Sequence, residues 1–303
     1  MDLEKQAIDI LQTFAGNEPY QLGYSGGKDS DVILHLAKKA VVPFIAVHNH
    51  TTVDAPETVY YVREKVKRGE VVVEYPRKSM WQLIVEKGYP PTRLSRYCCL
   101  EFKERSGKGK KVVTGVRKFE SRNRAENGGI VKILNPRKEL REKVDDVNFH
   151  STKQGGVVVL NYENSEVHRT VENCYRTSKT LVNPILEWDD EFLWWYIRHE
   201  EIEINPLYKN GCPGGCNRIG CIGCPLSGKS REEDFYRYPK YKEIYIRTFD
   251  RMLDERKRKG LEVYNWKSGV NVFDWWMEDE NIDGQYSMDF DGAELVGFKE
   301  KGI

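Results

Sequence analysis

The string Leu22-Gly23-Tyr24-Ser25-Gly26-Gly27-Lys28-Asp29-Ser30 constrains this chain more than any other stretch. It follows a short apolar strand candidate and opens an amphipathic helix carrying Val32, Ile33 and Leu36. A strand that turns through glycines into a helix is the start of an α/β unit. The glycines let backbone N–H groups approach an anion, and the helix N-terminus adds a favourable dipole. Lys28 can neutralise phosphate charge, and Asp29 can hold a magnesium ion. The plainer reading is an ordinary Gly-rich turn. A lone Ser-Gly-Gly fits that reading, but the full Ser25–Ser30 string in this setting is far more specific. It lacks the GxxxxGK[ST] spacing of a Walker A loop.

The rest of the chain alternates strands and helices. Asp54-x-x-Glu57 resembles a capping box, with Pro56 near the first helical turn. Val59, Val62 and Val66 follow at helical spacing, and Gly69 ends the segment. Glu70 to Tyr75 is a β-branched run and reads as a strand. Lys78 to Lys87 is a second helix candidate, and Lys111 to Gly115 a short buried strand. Gly115 and Arg117 then fall at a strand's C-terminal end, where open α/β sheets bind ligands. Such alternation implies a mostly parallel twisted sheet with flanking helices.

Residues 126–180 read as an insertion that forms a hairpin or lid, with Val157 to Leu160 a strand. His168, Arg169, Glu172 and Cys174 lie in its distal part, His168 as a surface histidine and Cys174 as an isolated thiol. Asp189 to Glu200 reads as a helix whose aromatics (Phe192, Trp194, Trp195, Tyr196) belong to the core. After Gly228 the chain reads helical, with Tyr241, Ile244, Tyr245, Thr248, Phe249 and Met252 on one stripe. Trp266 to Trp276 reads as a small docked cap.

Four of the seven cysteines sit in two tight pairs, Cys98-Cys99 and Cys221-x-x-Cys224. Together they can supply four thiolates to one compact metal centre. A vicinal pair is awkward in a zinc knuckle, which points to an iron–sulfur cluster. Taken separately, the CxxC also fits a redox or zinc pair, and Cys98-Cys99 two small buried side chains. Cys212, Cys216, Cys221 and Cys224 form a rival set within 13 residues that can bind zinc or a cluster alone.

These features occur in an order that resembles the phosphoadenosine phosphosulfate (PAPS) reductase family of the PP-loop ATP pyrophosphatase superfamily. The landmarks are Ser25 to Ser30, and His48-Asn49-His50-Thr51-Thr52 with Pro56-Glu57-Thr58. Arg96-Tyr97-Cys98-Cys99 with Lys103 comes next. Thr114-Gly115-Val116-Arg117 follows with Glu120-Ser121 and Arg124-Ala125, then Gly220-Cys221 to Pro225. The resemblance covers roughly residues 15 to 230. It implies an adenine nucleotide α-hydrolase-like fold with a mainly helical C-terminal segment. Residues 1–200 would form the nucleotide-binding α/β domain with its insertion, and 201–303 a Cys-rich segment and helical cap. It implies nucleotide contacts from Ser25, Gly26, Gly27, Lys28, Asp29, Ser30, Gly115, Arg117, Glu120, Ser121 and Arg124, with Lys28 and Asp29 catalytic. Arg117 and Arg124 would recognise phosphate, with Glu120 orienting Arg117. It assigns a [4Fe-4S] cluster to Cys98, Cys99, Cys221 and Cys224, beside the nucleotide, and Mg2+ to the bound ATP.

Composition narrows the setting. At 303 residues, 39% hydrophobic and 31% charged, the chain can bury a sizeable core and holds no run long enough for a membrane span. The charged start Met1 to Lys5 is unlike a signal peptide, and an odd, clustered cysteine count suits a reducing compartment. The expected location is the cytoplasm. Net charge is only +1, yet Leu100 to Lys143 carries 14 Lys or Arg against 6 Asp or Glu. Lys108, Lys110, Lys111, Arg117, Lys118, Arg122 and Arg124 belong to this block, which fits nucleotide phosphates, a nucleic acid acceptor, or simply a solvated surface. Asp274 to Glu300 holds 9 acidic residues against Lys299 alone and reads as a solubilising stretch.

The resemblance leaves several chemistries open. Sulfonucleotide reductases use a nucleophilic thiol, usually on a C-terminal tail, and tend to have a degraded loop. Here no cysteine follows Cys224 and Ser25–Ser30 is intact. Both points favour an ATP pyrophosphatase that adenylates an acceptor and takes part in sulfur transfer, as in the DndC-like branch. A sulfur-donor protein is then an expected partner. The ATP sulfurylase small subunit has the intact loop but lacks the cysteine pairs. A non-catalytic nucleotide- or cluster-sensing protein is the remaining alternative.

Overall fold

The computed structural model describes residues 2–104, 106–107, 109–136, 148–152, 156–160, 171, 179–208, 219–228, 230–263 and 266–278. They divide into two compact units. One comprises Met1–Pro76 and Phe102–Ile219, the other Arg77–Glu101 and Gly220–Ile303.

The first unit is built on an eight-stranded sheet: β1 (Tyr20–Gly23), β2 (Phe44–Asn49), β3 (Val72–Glu74), β4 (Lys111–Val113), β5 (Val131–Leu134), β6 (Phe149–Ser151), β7 (Val157–Val159) and β8 (Lys179–Val182). The spatial order is β3-β2-β1-β4-β8-β5-β7-β6. β3, β2, β1, β4 and β8 pair in parallel, as the α/β reading expects. Parallel neighbours need crossover connections, and the helices Lys28–Lys39 and Pro56–Lys67 supply them for β1–β2 and β2–β3. The first buries Val32, Ile33 and Leu36 against Leu22, all at 0% exposure. At roughly 2 kcal/mol for each large aliphatic side chain buried, this face contributes strongly to holding the loop between β1 and that helix in place. Because β1, β2 and β4 share a direction, their C-terminal ends lie on one edge. That edge carries Ser25–Ser30, His50 and the segment after Val113.

Several sequence expectations change in detail. The region read as an insertion extends the same sheet, through antiparallel pairs β5–β8, β5–β7 and β6–β7. β6 and β7 make the expected hairpin, but no lid is found among the described residues. His168, Arg169, Glu172 and Cys174 lie outside the described residues, as do Cys212 and Cys216. Asp54 does not cap the next helix. Ala55 takes the cap position ahead of Pro56, and the Asp54 carboxylate accepts from Thr51 instead. The buried face of that helix is Thr58, Tyr61, Val62 and Lys65, while Val66 is exposed. In the helix Asp190–His199, Tyr196 is buried but Trp195 is exposed and stacks on His199.

The second unit gathers residues 77–101 with the C-terminal helices, so its border differs from the one expected near residue 200. The helix Met80–Lys87 begins at a Ser79–Gln82 capping box and stops at Gly88 in the left-handed region, φ 77°. It belongs with the helix Pro239–Arg258. Trp81 meets Tyr245 edge-to-face at 4.9 Å, and Arg256 donates to the Gly88 carbonyl at 2.8 Å. The helix Gly269–Met277 adds Trp276, which packs on Tyr245 and donates to the Pro91 carbonyl at 2.6 Å. Neighbouring aromatics and buried donors that meet carbonyls outweigh the chain separation between these segments. No helix among the described residues is long and apolar enough to cross a membrane.

Candidate active site

In the first unit the chain leaves β1 at Gly23 and turns at Gly26, where φ is 76°. A Cβ there would meet Thr58 Cγ2 at 3.1 Å and Val62 Cγ2 at 3.2 Å, so the conformation calls for glycine and the space is tight for anything larger. Ser30 closes the turn from within the helix. Its hydroxyl donates to the Gly27 carbonyl at 2.7 Å and accepts from the Gly27 amide at 3.1 Å. Asn205, fully buried, donates to the Gly26 carbonyl and to Thr58 Oγ1, both at 3.0 Å. Tyr208 accepts from the Lys28 amide through its hydroxyl at 3.2 Å. Burial pushes that phenol up, so it stays a neutral hydroxyl. The result is a pre-shaped anion cradle at a helix N-terminus.

The charges around it are matched inside the protein. Lys28 is 3% exposed, with Nζ 3.2 Å from Asp29 Oδ2 and 3.9 Å from Asp190 Oδ1. Arg117, 1% exposed, donates from Nε to Asp29 Oδ1 at 2.6 Å and from Nη2 to Asp190 Oδ1 at 2.7 Å. Its Nη1 reaches the Trp188 carbonyl at 3.3 Å. Gly115 is explained by the same contact zone, since a Cβ there would lie 2.9 Å from Asp29 Cβ. Two residues further along the helix, Asp31 accepts from Tyr24 at 2.5 Å and Tyr61 at 3.1 Å through Oδ1. Its Oδ2 is buried without a hydrogen-bond partner in the protein. Burial raises the Asp31 carboxyl to about 7, partly opposed by the Tyr24 hydrogen bond.

The second unit brings together the other predicted set. Cys98 is buried, on a helical turn with Cys99, and Cys99, Cys221 and Cys224 are half-buried. The Cys221–Cys224 turn closes through the Cys224 amide on the Cys221 carbonyl at 3.1 Å and needs Gly223 at φ 72°. Tyr245 donates to the Ile222 carbonyl at 3.0 Å and Asp234 accepts from the Gly223 amide at 3.0 Å. The Cys98 thiol is pushed far up, first by its hydrogen bond with Cys99, then by burial and by the charges of Cys99, Cys221 and Cys224. The two pairs, distant in sequence, therefore lie near enough for Cys221 and Cys224 to act on Cys98.

The profile of the phosphoadenosine phosphosulfate reductase domain matches residues 19–227. The chain belongs to this family. Sulfate adenylyltransferase subunit 2 of Bacteroides thetaiotaomicron is 28% identical over 229 residues, 68% of this chain and 66% of that protein. An uncharacterized protein of Methanocaldococcus jannaschii is 27% identical over 273 residues. That alignment covers 86% of this chain, and the chain spans only 54% of the relative's length. The crystal structure of phosphoadenylyl-sulfate reductase from Candida auris, in its phosphate complex, has a TM-score of 0.42 at 16% identity, covering 72% of this chain and 92% of that one.

Within this PAPS reductase family member, the sequence-derived residues take different places. Ser25 to Ser30, Gly115 and Arg117 converge. Glu120 does not orient the Arg117 guanidinium: its carboxylate accepts from the Arg117 main-chain amide at 3.2 Å and pairs with Arg124. Ser121 caps the helix Arg122–Asn127. The basic block is not one open cationic face, since Lys111 binds the Phe14 carbonyl at 3.0 Å, Lys118 pairs with Glu187 and Arg122 with Glu126. Lys108 lies outside the described residues. Asp190, Asn205 and Tyr208 were not singled out in the sequence. The signal for Asp190 was the doubled acid Asp189-Asp190 at a helix start, of which one suffices as a cap.

Proposed function

We propose that this chain is a PP-loop enzyme that binds ATP and cleaves it to AMP and pyrophosphate to activate an acceptor for sulfur transfer. The observation that carries the reading is the cradle of Ser25–Ser30, shaped by Gly26 and backed by buried Lys28. In the proposed step an acceptor nucleophile attacks the α-phosphorus. The α–β bond breaks, its electron pair leaves with pyrophosphate, and AMP stays on the acceptor. Loop amides and Lys28 stabilise the charge that builds on the pyrophosphate. Arg117 holds Asp29 in one orientation through its planar fork. A sulfur nucleophile then displaces AMP.

Two groups implied by the family fit the residues present. Asp29, with its side chain 21% exposed and oriented by Lys28 and Arg117, is the residue that would hold Mg2+ with the nucleotide. Cys98, Cys99, Cys221 and Cys224 would hold the [4Fe-4S] cluster. Cys99, Cys221 and Cys224 raise the proton affinity of Cys98, an effect that a cationic centre would relieve on binding. When bound, the cluster supplies an iron–sulfide centre for handling sulfur. The same four thiols support a second reading, a phosphoadenylyl-sulfate or adenylyl-sulfate reductase.

An anaerobic product assay separates them. With Mg·ATP and candidate acceptors, nucleic acid among them, the proposal expects AMP and pyrophosphate in equal amounts. Sulfite release from a sulfonucleotide, with no pyrophosphate from ATP, would move the assignment to the reductase. Nucleotide binding with no turnover of either kind would favour a sensing protein.

A further inference from the structure

The end of β2 and the loop after it bring three further ligating side chains together. His50 Nδ1 lies 3.1 Å from Asp54 Oδ2, and His48 Nε2 lies 4.0 Å from the same oxygen. The three candidate ligand atoms all lie within 4.8 Å of one another. We propose that His48, His50 and Asp54 form a binding site for a divalent first-row cation of the zinc class. It uses none of the cysteines and needs no nucleotide, so it stands or falls apart from the ATP reading.

Three features argue for an ion here over a simple loop brace. His48 Nδ1 is 3.0 Å from the Tyr24 carbonyl. A carbonyl only accepts, so Nδ1 carries the proton and the Nε2 lone pair faces the Asp54 carboxylate. At 4.0 Å His48 Nε2 makes no hydrogen bond with Asp54 Oδ2, which accepts from the Thr51 amide and faces His50 Nδ1, and a cation in this space would draw on both rings and the carboxylate. A ligating imidazole whose other nitrogen donates to a backbone carbonyl is the usual supporting arrangement around a metal. The carboxylate is also fixed in place, by the Thr51 amide on Oδ2 at 2.8 Å and the Thr51 hydroxyl on Oδ1 at 2.7 Å. Thr52 is held in the left-handed region at φ 65°, a strained position for a β-branched residue, and the turn it makes returns Asp54 to His48 and His50. The spacing suits the ion. Ligands about 2.1 Å from a tetrahedral zinc lie roughly 3.4 Å apart, between the two measured separations. Two imidazoles and one carboxylate suit zinc and its neighbours, whereas Mg2+ prefers oxygen ligands throughout. The site adjoins the phosphate cradle in sequence, because the Tyr24 that fixes His48 precedes Ser25.

The test is metal binding by the full chain, prepared anaerobically and free of nucleotide. Zinc is titrated against a chromophoric chelator, and cobalt(II) reports ligand type. A nitrogen–oxygen site gives weak visible bands, while thiolates add intense near-ultraviolet charge transfer. The expected result is one zinc equivalent beyond any held by the cysteines, which excess Mg2+ does not displace. His50→Ala should lose it, and Asp54→Asn should weaken it at least tenfold, with the thiolate bands unchanged in both. Unchanged zinc stoichiometry and affinity in both variants would overturn the proposal. Should a variant fail to fold, the wild-type chain decides through modification of His50 by diethyl pyrocarbonate, mapped by mass spectrometry. Protection by zinc supports the site, and equal modification with and without zinc refutes it.

Discussion

The cradle in the first unit and the cysteine set in the second handle buried polarity in opposite ways. Lys28 and Arg117 are nearly inaccessible, yet each faces Asp29 and Asp190, so opposite charges are matched within the chain. The four thiols act on one another: Cys99, Cys221 and Cys224 each make the loss of a proton from Cys98 harder. A matched network is complete without a ligand and is ready to receive one. A set of like groups is completed by a cation. On the proposed reading, the same chain thus presents a loop shaped for a nucleotide and a set of thiols that would hold a metal cluster.

The sharpest way to break this contrast is to remove one thiol. Cys98→Ser or Cys221→Ser should abolish most of the iron and acid-labile sulfide of anaerobically prepared protein. Cys212→Ser and Cys216→Ser should retain it. The reverse pattern would hand the ligands to the local four-cysteine set.

Next in size is Arg117. Truncating one partner of a buried ion pair commonly costs about 3–5 kcal/mol, and the cost is smaller here because Asp190 is 62% exposed and Lys28 still faces both acids. Arg117→Ala should therefore lower the denaturation midpoint of the first unit and impair nucleotide turnover, with iron content unchanged. Arg117→Lys keeps the charge but not the fork to Asp29 and Asp190. It should recover much of the stability and less of the activity.

Asp31 gives a pH-dependent test of the matched network. Its carboxyl sits at about 7 when folded against an ordinary value of 3.8, so the folded state holds its proton longer than the unfolded chain. Stability from this group therefore falls as pH rises from about 4 to about 7 and is level above that, by about 4 kcal/mol in all. Asp31→Asn keeps an acceptor for Tyr24 and Tyr61 and removes the titration. Denaturant unfolding from pH 4 to 8 should show the slope in the wild type and its loss in the variant. Smallest is Tyr208→Phe, which takes one neutral acceptor from the Lys28 amide. Nucleotide affinity should change by less than tenfold, in line with about 1 kcal/mol for a single hydrogen bond.

What the sequence disclosed follows from how each feature is encoded. The cradle is contiguous, and its glycines, lysine and serines announce themselves as a string. Its supports were not legible. Asn205 and Tyr208 arrive from far along the chain through packing, and an asparagine and a tyrosine after a helix carry no local mark of that role. The parallel sheet was readable because strand and helix periodicities alternate through residue 115. β5 to β7 were not readable as part of it, since antiparallel pairing to β8 spans nearly fifty residues. The cysteine pairs were legible as two motifs. Their shared unit was not, because Trp81 and Gly88 gave no sign that Met80–Lys87 packs with Pro239–Arg258. Asp54 was misread as a cap because Asp before a helix usually is one. Its actual partners, Thr51 and His50, sit on the other side of the turn.

The most direct test of the central claim is calorimetric titration of the wild type and Lys28→Ala with ATP, each repeated in saturating pyrophosphate. The account predicts that wild type binds ATP, that pyrophosphate displaces it, and that Lys28→Ala weakens binding about a hundredfold while the protein stays folded and keeps its iron. ATP affinity unchanged in Lys28→Ala, or ATP binding indifferent to pyrophosphate, would contradict it.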